Sequence, residues 1–514
     1  MEGSSVNFLN ILTLIINIAN LFFILFVMFF ERKDASRRLI WIFILYLLPF
    51  VGLIFYILFS GHFFTGSKRM KEANRTVTTL LKPVLVNQQE FLIESSTKFP
   101  NHVMNNYLPL VEMNISKCDS LLVSTDSLRL YTTGQDFFKD LCVDLENAKH
   151  TIYMEYFIFK SDKIGKQIME ILCRKAKEGV VVKLLYDDLG SLFTRTRFFK
   201  QLDKAGGQTR PFFQIRIGFP FTLNYRNHRK TTVIDSTIAY TGGVNIGDEY
   251  ANQSKRIKLN WRDTVIRMTG ASVLTMQGNF SIDWCAMDAW YDHAKTSKEI
   301  ISHYPPEVIK EITKTVKTNT QDELFASVFK YGHIPTQIIT AGPDEAHKAK
   351  IEDALLKMIM SAKKYVYLQS PYFTPDEQFY TALKIAAFSG VDVRVMIPGQ
   401  WDKFYMKAAS SEFARQMIGE GVKVYLYNGF IHSKTIVVDG NVCSIGTTNI
   451  DNRSFSLHFE QNVVFYDEGF ASECECIFLE DIKNSSPVHK IYYDKKPMIV
   501  RAFWSFCKLF SALM

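Results

Sequence analysis

His228-Arg229-Lys230-Thr231-Thr232-Val233-Ile234-Asp235 and His432-Ser433-Lys434-Thr435-Ile436-Val437-Val438-Asp439 stand 204 residues apart in a chain of 514. Counted from each histidine, the strings agree at +2 (Lys), +3 (Thr), +5 (Val) and +7 (Asp). The agreement continues into their tails, at Gly242 and Gly446, Asn245 and Asn449, and Ile246 and Ile450. A single H-x-K-x-x-x-x-D is a weak signal. Two copies with matching tails mark an internal duplication.

The units around the strings repeat as well. Thr151–Phe159 reads as a strand, followed by Ile164, Ile168, Ile171 and Leu172 on one helical face, Gly179 as the stop and Val180–Asp188 as a buried strand. Between 211 and 215 residues later come Tyr365–Leu368, then Phe379, Leu383, Ala386 and Ala387 on one face, Gly390, and Val391–Ile397. Two βαβ-containing copies predict an α/β fold of two similar lobes, with parallel strands under covering helices and one site shared at their interface.

Strand geometry says what that site would contain. Residues two apart face the same way, so His228 projects beside Lys230 and His432 beside Lys434. Two such strands meeting across a pseudo-twofold bring two imidazoles and two ammoniums round one point. That cluster suits a phosphodiester without a metal, because the lysines match its charge and that of its transition state. A neutral imidazole attacks phosphorus while a protonated one delivers a proton to the leaving oxygen. Coupled titration near the free value of about 6.5 lets identical side chains hold opposite protonation states. Asp235 and Asp439 lie at an odd spacing, away from the His–Lys face, which points to a structural or supporting place. The Gly and Asn at +14 and +17 read as a turn with an amide near the site.

Composition places this body at a membrane. The chain is 47% hydrophobic, 14% aromatic and 22% charged. These values exclude a disordered chain and a fully polytopic transporter. The net charge of +8 hints at anionic surfaces but falls short of a nucleic-acid footprint. Val6–Phe30 and Leu39–Phe59 carry no charge, and each reaches the roughly 20 residues of a spanning helix. A hairpin of two transmembrane helices, residues 6–30 and 39–60, is therefore expected. Arg32, Lys33, Arg37 and Arg38 in the loop balance Lys68, Arg69, Lys71 and Arg75 after the second helix, so positive charge sets no orientation. The expected organisation is a hairpin (1–66), a linker or amphipathic region (67–120), lobes at 121–330 and 331–494, and an amphipathic end (495–514).

Paired HxKxxxxD motifs, each followed by G-x-x-N, resemble the phospholipase D superfamily. The front of the chain is similar to that of bacterial cardiolipin synthases. So are EYFIF (155–159), DDLGS (187–191), NHRK (227–230), GGVNIGDEY (242–250), WRDT (261–264), SPYFTPD (370–376) and TNIDNRSF (448–455). The resemblance spans nearly the whole chain. It implies two phospholipase D-like lobes of mixed sheet and flanking helices, no cofactor, and a catalytic set of His228, Lys230, Asp235, His432, Lys434 and Asp439. It also implies a ping-pong transesterification: one histidine takes a phosphatidyl group from phosphatidylglycerol, and a second phosphatidylglycerol collects it as cardiolipin. In the superfamily an acidic residue downstream of each motif supports its histidine. Asp263 of WRDT and Glu460 of HFEQN hold those positions, with Asn245 and Asn449 as further substrate-binding or supporting residues. The implied setting is a bacterial cell membrane, with the lipid bilayer as partner and no nucleic acid. One departure is Gly446-Thr447 where the first half has Gly242-Gly243. The same motifs also serve a phosphodiesterase that hydrolyses phospholipid or nucleic acid. A catalytically dead membrane scaffold is disfavoured, since both motifs are intact.

Other features carry less. The eight cysteines include no C-x-x-C and read as free thiols. His62, His102 and His333 have no metal-ligand spacing, so no metal site is expected. Lys495–Met514 reads either as an interfacial helix on anionic lipid or as a terminal helix docked on the body. Phe212–Tyr225, aromatic and poor in acids, reads as a lipid entry or as a plain hydrophobic loop.

Overall fold

A computed structural model of the chain describes residues 2–30, 35–60, 67–94, 102–215, 223–287, 299, 301–304, 306, 332–343 and 349–513. The front is helical: α1 (Glu2–Phe30), α2 (Ala35–Leu47), α3 (Pro49–Phe59) and α4 (Ser67–Glu94). α1 leaves Ile11, Leu14, Ile18, Phe22 and Phe29 exposed, a surface that is stable only against lipid or another apolar face. Among the described residues it is the one helix long and apolar enough to cross a bilayer.

The expected second span is broken. Pro49 has no N–H to continue the helical ladder, and Leu48 leaves helical geometry at φ −128°, ψ 70°. The chain then doubles back. A Cβ on Gly52 would meet the Ile44 carbonyl oxygen at 2.6 Å, and the Trp41 and Tyr56 rings pack edge to face at 5.3 Å. α2 and α3 have 13 and 11 residues, each short of the roughly 20 that a span needs. Asn20 of α1 donates to the Leu45 carbonyl of α2 at 2.8 Å, which ties α1 to α2.

The described residues of the 67–120 region are largely helical. α4 runs for 28 residues, and Leu110, Val111 and Ile115 of helix Leu108–Cys118 enter the core of the second lobe.

Among the described residues the body is a sheet of 15 strands with four short strands beside it, paired two and two. The first half contributes β1 (Leu122–Tyr131), β2 (Thr151–Tyr156), β3 (Val181–Asp187), β4 (Gln208–Phe212), β5 (Lys230–Ile234), β6 (Ile238–Gly242), the short β7 (Trp261–Arg262) and β8 (Val265–Gly270). The second contributes β9 (Ile334–Ala341), β10 (Tyr365–Gln369), the short β11 (Phe373–Thr374), β12 (Asp392–Pro398), β13 (Lys423–Tyr427) and the short β14 (Phe430–Ile431). It continues with β15 (Thr435–Val438), β16 (Val442–Gly446), the short β17 (Ile450–Asp451), β18 (Glu460–Tyr466) and β19 (Ser485–Val488). Outward from the seam the order is β1-β8-β6-β5-β2-β3-β4 on one side and β9-β18-β16-β15-β10-β12-β13-β19 on the other. The halves therefore repeat strand for strand, with β19 added at one edge.

The seam is the antiparallel pair β1–β9, Leu122 opposite Gln337 and Thr125 opposite Ile334. Thr125 and Thr336 share a buried hydroxyl contact of 2.9 Å across it. Strand β2 explains the layering: Ile152, Met154 and Tyr156 pack under helix Lys163–Lys177, while Tyr153 faces helix Ser272–Ala286 on the opposite side. The repeated helices start and stop alike. Asp162 and Asp376 cap them by accepting from Gly165 and Phe379 N–H at 3.1 and 2.8 Å, and Gly179 and Gly390 follow at φ 94° and 87°.

All eight cysteines are free. Helix Met498–Leu509 has one covered face and one open one. Trp504 and Cys507 are buried against the body, and Met498, Ile499, Phe503 and Phe506 face outward. The middle of Phe212–Tyr225 lies outside the described residues.

Candidate active site

Two short cross-lobe pairings bring the motifs together. Just before His432, β14 runs parallel to β7 of the first half, and the His432 N–H donates to the Arg262 carbonyl at 2.7 Å. Just before His228, Asn227 bridges in parallel to Phe459, and the His228 N–H donates to the Phe459 carbonyl at 2.9 Å. The two are pseudo-twofold copies. Each sets a histidine beside the acid that follows the other lobe's bridging segment.

The carboxylates are therefore exchanged relative to their order in the chain. His228 Nδ1 lies 3.0 and 3.1 Å from the two Glu460 oxygens, and His432 Nδ1 lies 2.7 Å from Asp263 Oδ2. By position each acid is expected to support the histidine of the motif upstream of it; in the structure each lies against the histidine of the other half instead. Both histidines and both acids are buried. With the carboxylate taking the Nδ1 proton, Nε2 is the nitrogen left for chemistry.

Lys230 Nζ and Lys434 Nζ each donate at 2.5 Å to the carbonyl of the histidine two residues earlier. Phe157 covers this corner, its ring 5.1 Å from that of His228 and 5.5 Å from Lys230 Nζ. Burial is the largest influence on all four charges. It holds His228 well below the usual imidazole range, aided by Lys230 and Lys434, and pushes His432 down to about 4 with Lys434 assisting and Asp263 opposing. Lys230 is pushed down to about 7 and Lys434 down to about 8. A bound phosphodiester supplies the missing anion and raises all four.

The sign of the pH dependence follows. Below about pH 7 both lysines already carry their charge, so through them binding takes up no proton. Above about pH 8 they must be protonated as the anion binds, and affinity falls by up to about tenfold per pH unit for each lysine involved. Binding of a soluble anionic phosphodiester, measured across this range, should weaken as pH rises past 8. An affinity independent of pH there would contradict the assignment of both lysines to the phosphate.

Asp235 and Asp439 stand elsewhere. Asp235 accepts from the N–H groups of Lys149, His150 and Thr151 at 2.7 to 2.8 Å, and Asp439 from those of Lys363, Lys364 and Tyr365 at 2.8 Å. Both sit at positive φ, 50° and 56°, at the far end of the motif strand. They pin that end to the start of β2 or β10. The family motif counts both with the catalytic set; in the structure their carboxylates are taken up by these backbone N–H groups at the end of the strand away from the histidine.

Asn245 is engaged as well, accepting from Ile158 N–H at 3.1 Å and donating to the Tyr250 hydroxyl at 3.2 Å. Asn449 is buried, and its Oδ1 has no hydrogen-bond partner among the described residues. The Gly243/Thr447 departure has a reason. A Cβ on Gly243 would run into the Asp263 carboxylate, whereas the Thr447 hydroxyl donates to Glu460.

His458 was not singled out from sequence. It precedes Glu460 by two residues, as Trp261 precedes Asp263, so laying WRD over HFE would have found it. Its ring centroid is 5.6 Å from that of His228, with Nδ1 3.6 Å from Glu460. Trp261 flanks His432 at 5.2 Å in the matching place. The donor atoms of His228, His458 and Glu460 lie within 4.8 Å of one another, a group able to hold a metal that sequence spacing did not show. Glu460 is already engaged there by His228 and Thr447.

A family model described as "Cardiolipin synthase, PLD-like domain" matches residues 141–281 and 355–482, and one described as "Phospholipase_D-nuclease N-terminal" matches residues 15–61. The chain is 36% identical over 509 residues to a curated cardiolipin synthase of Listeria monocytogenes, covering 99% of each. It is 35% identical over 516 residues to cardiolipin synthase 2 of Staphylococcus epidermidis, covering 99% of this chain and 98% of that one. The crystal structure of phosphatidylserine synthase from Haemophilus influenzae superposes with a TM-score of 0.57 at 14% identity, over 80% of this chain and 100% of that one. At that identity the likeness concerns the fold alone.

Proposed function

The chain belongs to the family of phospholipase D-like cardiolipin synthases, and on that premise we infer that it is a phosphatidyltransferase joining two phosphatidylglycerols into cardiolipin, with release of glycerol. The observation that carries this reading is the paired centre: two buried histidines, each backed by a carboxylate of the other lobe, with two lysines beside them.

Nε2 of one imidazole attacks the phosphorus of the first lipid. A P–N bond forms, the P–O bond to glycerol breaks, and the other imidazole gives its proton to the departing glycerol oxygen. The hydroxyl of the second lipid then returns a proton to that imidazole as its oxygen bonds to phosphorus. The P–N bond breaks with its electron pair going back to nitrogen. Lys230 and Lys434 hold the non-bridging oxygens, and Glu460 and Asp263 stabilise the imidazolium forms.

Purified protein in vesicles of labelled phosphatidylglycerol should release cardiolipin and glycerol in equal amounts. Phosphatidic acid as the sole lipid product would overturn the transferase in favour of a hydrolase.

α1 and the family segment at residues 15–61 associate the protein with membrane. We place the anchor in the bacterial cell membrane, with α1 crossing it and the folded-back pair α2–α3 entering and returning on one side. Reporters fused to the two ends of the chain should then fall on opposite sides. The same side for both would restore the two complete crossings expected from hydropathy.

A further inference from the structure

Transfer between two phosphatidylglycerols, unlike hydrolysis, brings two phosphates to the enzyme at once. One is bonded to histidine beside Lys230 and Lys434. The other belongs to the acceptor lipid, three carbons from the hydroxyl that attacks, and needs cations of its own.

A cavity of about 220 Å³ opens between the membrane helices and the catalytic body. Among the described residues its charged lining residues are Arg37 of α2 and Arg453 of helix Asn452–Ser456, with no carboxylate beside them in the lining. Trp41, Ile44, Phe55 and Leu457 supply apolar walls. Both arginines are held in place. Arg37 Nε donates to the Ala512 carbonyl at 3.0 Å, and Asn452 Nδ2 donates to the Ser511 carbonyl at 3.2 Å, so one C-terminal turn ties α2 to the helix bearing Arg453.

The cavity is wired to the reaction centre. Arg453 Nε donates to His458 Nε2 at 3.4 Å, His458 Nδ1 is 3.6 Å from Glu460, and Glu460 holds His228. Two side chains separate Arg453 from a histidine of the centre. The cavity thus joins apolar walls of the membrane helices to a cationic pair next to the phosphorus site, which is the chemistry of a phospholipid headgroup.

We propose that Arg37 and Arg453 bind the phosphate of the acceptor phospholipid and thereby favour transfer over hydrolysis. This rests on the transferase reading above. The hydroxyl then attacks from a lipid held by its own phosphate, and its proton, bond and leaving-nitrogen changes are those already described.

The test uses full-length R453Q, R37Q and the conservative R453K in phosphatidylglycerol vesicles, with ethanol added as a competing acceptor that carries no phosphate. Cardiolipin and phosphatidylethanol arise from the same phosphohistidine, so their ratio isolates the acceptor step. The ratio should fall about tenfold or more in the glutamine variants, the loss expected for a charge-assisted contact, and recover in part in R453K. Cardiolipin and phosphatidylethanol falling in the same proportion, or a ratio that does not move, would overturn the proposal. Wild-type protein that makes phosphatidylethanol but no cardiolipin would overturn the transferase reading instead.

Discussion

H228A and H432A should each lose phosphatidyl transfer by about ten-thousandfold or more, because each removes one of the two groups proposed to hold and move the reacting bonds. The losses are equal in the full reaction but not in its halves. A substrate with p-nitrophenol in place of glycerol leaves without a proton. The variant that lacks the general acid therefore still releases nitrophenol in a single burst, and the variant that lacks the nucleophile releases none. The assay assigns the two roles. Wild-type turnover by either variant would refute a centre shared between the lobes.

D263N and E460Q should lose activity by about a thousandfold or more, since a neutral partner no longer fixes the tautomer or balances the imidazolium. The direction of the pairing is the sharper expectation. Asp263 holds His432 and Glu460 holds His228, so D263N should reproduce the half-reaction behaviour of H432A, and E460Q that of H228A. G243A should resemble D263N, because its Cβ would occupy the place of the Asp263 carboxylate. In the first half that side chain is accommodated only by the absence of a Cβ. In the second, Thr447 fills the matching position and donates to Glu460. A D263N protein that behaves like H228A would mean that each acid serves its own lobe after all.

The repeat was legible in the sequence because duplicated strand–helix–strand units keep their spacing: Ile164 to Leu172 and Phe379 to Ala387 show the same helical face. The histidine–lysine pairs were legible because a period of two is intrinsic to a strand. That same period moved Asp235 and Asp439 off the reacting face, although the family motif counts them with the site.

The exchange of acids was not legible. It depends on the cross-lobe pairings of β14 with β7 and of Asn227 with Phe459, long-range contacts that local pattern does not encode. His458 is hard to see in the sequence for a different reason: the agreement between the halves runs through the motifs and their tails and does not extend to WRD and HFE. The second apolar segment illustrates the limit of hydropathy. Its composition is that of a span, yet Pro49 and Gly52 let it fold on itself at Leu48. Residues 67–94 show the converse, a polar stretch with a Pro inside that nonetheless forms a 28-residue helix.

Rapid chemical quench of the purified protein turning over phosphatidylglycerol labelled in its phosphatidyl group, followed by peptide mapping, tests the shared two-histidine centre most directly. Label should appear on His228 or His432 before cardiolipin forms, and should pass into cardiolipin when unlabelled phosphatidylglycerol is added. Cardiolipin formed at the full rate with no label on either histidine would contradict it.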